Sequence, residues 1–155
     1  MTVSNIVEQD ALQAPLVLDE LYSLLPIERG FDWETCFEQI ETGVWYLVAF
    51  RSKHKADADE EILTLLDRRA TEAAQKTEGF LYYFTGVPLA TGECLSFCLW
   101  TDQRAARQGA SHSDHRVAKE MGLKSYEYYC LERYYIHKHA GQLMFSPLPS
   151  MPHHH

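Results

Sequence analysis

The sequence predicts an α+β sandwich with the element order β-α-β-β-α-β, preceded by a helical extension. Three observations predict it. Four runs rich in β-branched and aromatic residues read as strands. Two stretches with apolar residues at helical spacing, each ended by a glycine, lie between the first and second runs and between the third and fourth. The link between the second and third runs is short enough for an antiparallel hairpin.

The first run, 44–52, is apolar on both of its faces: Trp45, Leu47 and Ala49 alternate with Val44, Tyr46, Val48 and Phe50. Lys53-His54-Lys55 follows as a small basic run that reads as a solvated loop. From Ile62 the apolar positions 62, 63, 65, 66, 70, 73 and 74 form a helical stripe. Asp57, Asp59, Glu60 and Glu61 crowd its start and Arg68, Arg69 and Lys76 its later part, which suits the helix dipole, and Gly79 ends it. Phe80 to Thr85 is the second strand, 86–92 a Gly- and Pro-rich link, and Glu93 to Thr101 the third strand. Thr101 or Asp102 caps the second helix, whose body holds Ala105, Ala106, Ala110, Val117, Ala118 and Met121 before Gly122. Gly109 inside it marks a weak point. Tyr126 to His137 is the last strand.

Two interleaved right-handed β-α-β units give a ferredoxin-like sheet with both helices on one face. The other face of such a sheet is bare, yet these strands are apolar on both sides. A second copy of the chain is the economical cover, so a homodimer is expected. Three segments result: a helical extension over 1–43, the ferredoxin-like domain over 44–140, and an irregular, Pro-rich tail over 141–155 whose three final histidines look like a tag remnant. In the extension, Leu12 to Leu25 reads as a short helix ended by Pro26. Phe31, Trp33 and Phe37 make docking on the domain expected, with a lid as one role.

The bulk numbers narrow the function. The 155 residues suit one domain of roughly 100–200 residues, and 46% apolar composition supports a sizeable core. A formal charge of −8 argues against nucleic acid. Neither a run of about 18 apolar residues nor a secretory leader is present, so no membrane partner is expected. Cys36, Cys94, Cys98 and Cys130 have neither disulfide-framework nor zinc-site spacing and read as free thiols of a cytoplasmic protein.

The chemistry-bearing segment is Ser111-His112-Ser113-Asp114-His115, in the second helix. His112 and His115 are three apart and share a helix face. An imidazole with a reference pKa of about 6.5 can take or give a proton at neutral pH, and Asp114 or a flanking serine is close enough in sequence to orient one ring. The plain alternative is two solvated histidines. No metal-ligand spacing is present. Tyr46 and Phe50 share a face of the first strand, Phe80, Tyr82 and Phe84 one of the second, and Tyr126, Tyr128 and Tyr134 one of the last. These are lining candidates, though aromatic rows on strands are more often core. Arg51 and Arg133 read as buried partners of Glu127 or Glu132, or else as anchors for an acidic substrate.

A strand ending in Trp100, an acidic cap, a helix with small residues and a His-x-x-His segment together resemble the antibiotic biosynthesis monooxygenase and stress-responsive dimeric α+β barrel superfamily. The resemblance covers about residues 44–137 and implies a dimeric α+β barrel of ferredoxin-like protomers. Its members include cofactor-independent oxygenases, haem-degrading proteins and a polyketide cyclase with a helix His-Pro-x-His. That match puts His115 on the cyclase's base, His112 on its first histidine and Trp100 on the strand-end aromatic, whereas Gly109 stands where the cyclase has a tyrosine. The whole chain also resembles a family of uncharacterised, mainly fungal proteins, which supplies no activity.

The expected function is that of a cofactor-independent enzyme of secondary metabolism, acting on a phenolic or polyketide-like substrate by oxygenation, cyclisation or isomerisation. His115 and His112 would be catalytic, and Trp100, Tyr46, Phe50, Tyr82, Phe84 and Tyr128 would bind substrate, with no cofactor and no metal. The alternatives are a non-catalytic dimeric small-molecule carrier, and a haem-binding or haem-degrading protein with a helix histidine as axial ligand.

Overall fold

A computed structural model describes residues 11–110, 124–149 and 151–152. Its strands are β1 (Gly43–His54), β2 (Phe80–Phe84), β3 (Glu93–Trp100), β4 (Tyr126–His139), β5 (Gln142–Pro147) and β6 (Met151–Pro152). Its helices are α1 (Ile27–Gly30), α2 (Trp33–Cys36), α3 (Glu60–Gln75) and α4 (Gln103–Ala110). The sheet runs β2-β3-β1-β4-β5, with every pair antiparallel. Its first four members have the ferredoxin-like order that two interleaved β-α-β units produce.

The starts of α3 and α4 are capped by aspartate, which satisfies N–H groups left unpaired at a helix N-terminus. Asp59 accepts from the Ile62 N–H and Asp102 from the Ala105 N–H. Gly79, at φ +93°, ends the connection after α3 in the left-handed region, and a Cβ there would meet Ala105 and Thr101.

Two expectations change. The tail is not irregular from residue 141: β5 forms a hairpin with β4 through Ala140 and Gly141, both at positive φ, and β6 pairs with β4 at Cys130 and Leu131. Lys53 and His54 of the basic run are not loop, because β1 continues through His54, which pairs with Tyr126, and only Lys55 lies beyond the strand.

The third change concerns the sheet face that was expected to be bare. It carries Trp45, Leu47, Ala49, Leu95, Phe97, Leu99 and Ile136, all fully buried. What covers it is the chain's own extension, through Tyr22, Ile27, Phe31, Trp33, Cys36 and Phe37. Phe31 sits at the centre, its ring centroid 5.0 Å from those of both Phe84 and Phe97. The reason given for a second copy on this face therefore falls.

The expected helix over Leu12–Leu25 is also replaced. Val17 bridges to Phe31 as extended chain, and only Tyr22–Leu24 forms a 3-10 turn. The leucines of that supposed stripe, Leu16, Leu18, Leu21 and Leu24, are exposed. Polar ties fix the extension to the sheet. Arg51 donates to the Ser23 and Leu25 carbonyls at 2.8 and 2.6 Å, and Lys138 to the Phe37 carbonyl. Arg51 also pairs with Glu132 at 2.7 Å, one of the two partners expected from the sequence.

Candidate functional site between the long helix and the sheet

The helix-bearing face of the sheet is the face of Tyr46, Val48, Phe50, Ser52 and His54. At its Trp100 end it is closely packed. Trp100 is buried, meets Phe80 edge-on and donates its indole N–H to the Cys98 sulfur at 3.0 Å. Tyr46 packs on Tyr135, whose hydroxyl donates to Gln103 in α4. A Cβ at Gly109 would come within 2.4 Å of the Trp100 ring. Where the resembled cyclase carries a tyrosine, this chain gives the space to the Trp100 indole.

At the other end, α3 stands off the sheet over a cavity of about 160 Å³. The turns of α3 that face it present Glu60, Leu63, Asp67 and Ala70, at the i, i+3, i+7 spacing of one helix face. The sheet contributes Phe50, Ser52 and His54 from β1, Tyr83 from β2 with Thr85 beyond it, Cys94 and Ser96 from β3, and Tyr126 and Tyr129 from β4.

Two polar arrangements line the cavity. Asp67 accepts from the Tyr83 hydroxyl at 2.8 Å and from Thr85 at 3.0 Å. The His54 Nδ1 lies 2.9 and 3.0 Å from the two Glu60 oxygens, and the imidazole packs on Tyr126 at 5.2 Å between centroids. Phe50 lies between Tyr83 and Tyr129, at 6.5 and 6.4 Å.

Burial sets the charge state of the lining. It pushes the Tyr126 hydroxyl from its ordinary 10.0 up to about 12 and the Cys94 thiol from 9.0 up to about 12, and the Glu60 and Asp67 carboxylates push the same way. The Tyr83 and Tyr129 hydroxyls are raised further for the same first reason. The cavity thus offers protonated hydroxyls and thiol, two carboxylates and one imidazole. Anionic ligands meet two like charges there, and a neutral ring meets stacking surface and hydrogen-bonding groups.

Because these tyrosines ionise more readily in the unfolded chain, their contribution to stability is complete below pH 10. It should be lost as pH rises through about 12. For Tyr126 the two-unit shift caps that loss at about 3 kcal/mol. Thermal unfolding followed from pH 8 to 12 checks this, and a flat melting temperature across that window would contradict the buried tyrosines.

The residues singled out from the sequence are not gathered in one place. Phe50 lines the cavity, while Trp100 and Tyr46 lie at the closed end of the same face. Tyr82 and Phe84 pack with Phe97 and the extension on the opposite face, because a bulge between Phe80 and Tyr82 flips the alternation. Tyr128 points away and is 47% exposed. A second irregularity, where Lys53 pairs with Tyr128 and His54 with Tyr126, puts Tyr126 and Tyr129 on the cavity side together. His112 and His115 lie outside the described residues. The described part of the extension, from residue 11 on, covers the opposite face and contributes no residue to this cavity.

His54, Glu60, Asp67 and Tyr83 were missed. The i, i+7 spacing of Glu60 and Asp67 was in the sequence, but the run at 53–55 read as a loop and hid the histidine beside them. Among the described residues, no group of three or more His, Cys, Asp or Glu side chains is placed to hold a metal ion, and no helix is long and apolar enough to cross a membrane. The four cysteines are free.

Comparisons with known proteins agree on the fold. A family model described as PB2B2.08-like matches residues 2–146, while no curated protein matches. A conserved protein from Methanosarcina mazei is similar in structure at a TM-score of 0.53 and 13% identity, covering 59% of this chain and 91% of its own. A candidate antibiotic biosynthesis monooxygenase from Nitrosomonas europaea is similar at 0.50 and 13%, covering 57% and 95%. A dimeric ferredoxin-like protein of unknown function from Thermobifida fusca is similar at 0.50 and 10%, covering 59% and 90%. These likenesses bear out the ferredoxin-like fold.

Proposed function

The chain belongs to the PB2B2.08-like family, and we propose that it is a small-molecule enzyme, free of organic cofactor, that acts on a single-ring phenolic substrate held between α3 and the sheet. The observation that carries this reading is the cavity itself, lined by Phe50, Tyr83, Tyr126 and Tyr129 with polar groups at defined places. An apolar cavity of about 150 Å³ takes up benzene in other proteins, so the 160 Å³ here suits one ring. A porphyrin is far larger, and the haem alternative gains no support from this space. The fold shared with a candidate antibiotic biosynthesis monooxygenase supports reading the cavity as a reaction site, by oxygenation, cyclisation or isomerisation, over mere carriage.

In this reading His115, supported by His112, is the helix general acid/base. Turnover of a phenol identified from a panel should fall by about 10²–10⁴-fold in His115→Ala, with phenol binding retained. Unchanged turnover in that variant would remove the histidine from the mechanism. Saturable binding without turnover of any panel member would leave a carrier, the second function the sequence admits.

The proposal includes a homodimer, as in the Thermobifida fusca neighbour, but not through the sheet face that the extension occupies. The exposed Leu16, Leu18, Leu21 and Leu24 offer the apolar surface for it. Light scattering on the same preparations reads the mass, and a strict monomer would refute the pairing. Four free thiols suit a reducing, cytoplasmic setting.

A further inference from the structure

The geometry points to His54 as a proton acceptor for the substrate hydroxyl, with Glu60 as its positioning residue. This deepens the proposed reading and rests on it. His54 stands at the end of β1 with its side chain only 10% exposed, and it lines the cavity. Its Nδ1 is held by both oxygens of Glu60, from the first turn of α3. The tautomer that donates Nδ1–H to that carboxylate leaves the lone pair on Nε2. A base oriented by a carboxylate on its far nitrogen is the arrangement that general-base catalysis uses.

The groups around it agree. Glu60 and Asp67 come from α3, Cys94 from β3, and Tyr126 and Tyr129 from β4. Burial keeps the Cys94 thiol and the Tyr83, Tyr126 and Tyr129 hydroxyls protonated, and His54 is the one imidazole among the described residues that line the cavity.

The step balances simply. The phenol O–H bond breaks, its electron pair stays on oxygen, and the proton forms a bond to His54 Nε2. The imidazolium so formed lies between the new phenolate and the Glu60 carboxylate, which spreads one positive charge between two negative ones. Without the imidazole, the same phenolate would sit beside Glu60 and Asp67 in a partly desolvated cavity, and its formation would be opposed. The substrate class follows as a neutral phenol that ionises on binding, rather than a carboxylate or phosphate that arrives charged.

The sign of a pKa change in a bound dye tests this. para-Nitrophenol changes absorbance on losing its proton, and its ionisation is titrated free and bound to the whole protein. In the wild type the bound dye should ionise with a constant about tenfold or more above that of the free dye. In His54→Gln it should still bind but ionise less readily than in water, and Glu60→Gln should fall between. Circular dichroism of each variant confirms the fold. Saturable binding with a wild-type constant at or below the free value, or a raised constant that survives His54→Gln, overturns the role of His54 while leaving the cavity a ligand site. Absence of saturable binding of this and other single-ring phenols by the wild type overturns the cavity reading and this inference with it.

Discussion

Replacing Phe31 by alanine should cost about 3–5 kcal/mol of folding stability, the usual range for deleting a fully enclosed aromatic side chain. Phe31 is 1% exposed, and its ring meets four others: Phe84 and Phe97 edge-on at 5.0 Å, Tyr22 at 5.3 Å and Trp33 at 5.8 Å. Two of those rings belong to the sheet and two to the extension, so this side chain joins the layers. The loss of transfer energy adds to that of a cavity the rigid sheet cannot close, and each edge-on contact is worth about 0.5–1.5 kcal/mol more. Domains of this size hold about 5–15 kcal/mol in all. Urea unfolding read by tryptophan fluorescence measures the change, because Trp33 and Trp45 lie on either side of the interface. A loss below about 1 kcal/mol would mean that the extension is not part of the cooperative unit.

Arg51→Met should cost about 3 kcal/mol or more and should free the extension. Arg51 makes one ion pair and two bonds to backbone carbonyls, and its side chain is 17% exposed against 25% for Glu132. Methionine preserves much of the bulk but leaves the Ser23 and Leu25 carbonyls and one oxygen of Glu132 without their donor. Stranding buried polar groups costs more than the pair itself contributes. Arg51→Lys should recover only part of the loss, since one ammonium cannot reproduce a three-pronged guanidinium. Limited proteolysis reads the local effect. Cleavage between residues 12 and 42 should become fast in Arg51→Met while β1 to β4 stay protected, and equal cleavage of wild type and variant would count against this latch.

The strands and helices of the βαββαβ unit were legible because their signals are local: β-branched and aromatic runs, an aspartate before each helix, and glycine after the first. What was not legible has three physical sources. Parity along a strand is lost at a bulge, so Tyr82 and Phe84 went to the wrong face and Tyr129 was overlooked. Two apolar faces show that something covers each, but not what, and the cover proved to be a segment with little regular structure of its own. A short polar run can be strand as well as loop when its neighbours pair, as Lys53 and His54 do with Tyr128 and Tyr126. The site suffered most, since it depends on parity at two strand ends at once. The Arg51–Glu132 pair was legible, because a charge inside an apolar strand demands a partner and few were on offer.

The docking of the extension also bears on how the chain is made. The surface that Phe31 and Trp33 need is not complete until β4 takes its place beside β1, and Ile136 of that strand lies about a hundred residues downstream. At roughly 5–20 residues per second of synthesis, the apolar side chains of residues 22–37 wait some 5–20 seconds in the growing chain before their partners exist. During that interval they are open to a chaperone, or to the same segment of a neighbouring nascent chain. The part of the molecule that seals its sheet is therefore the part most exposed to mispairing at birth.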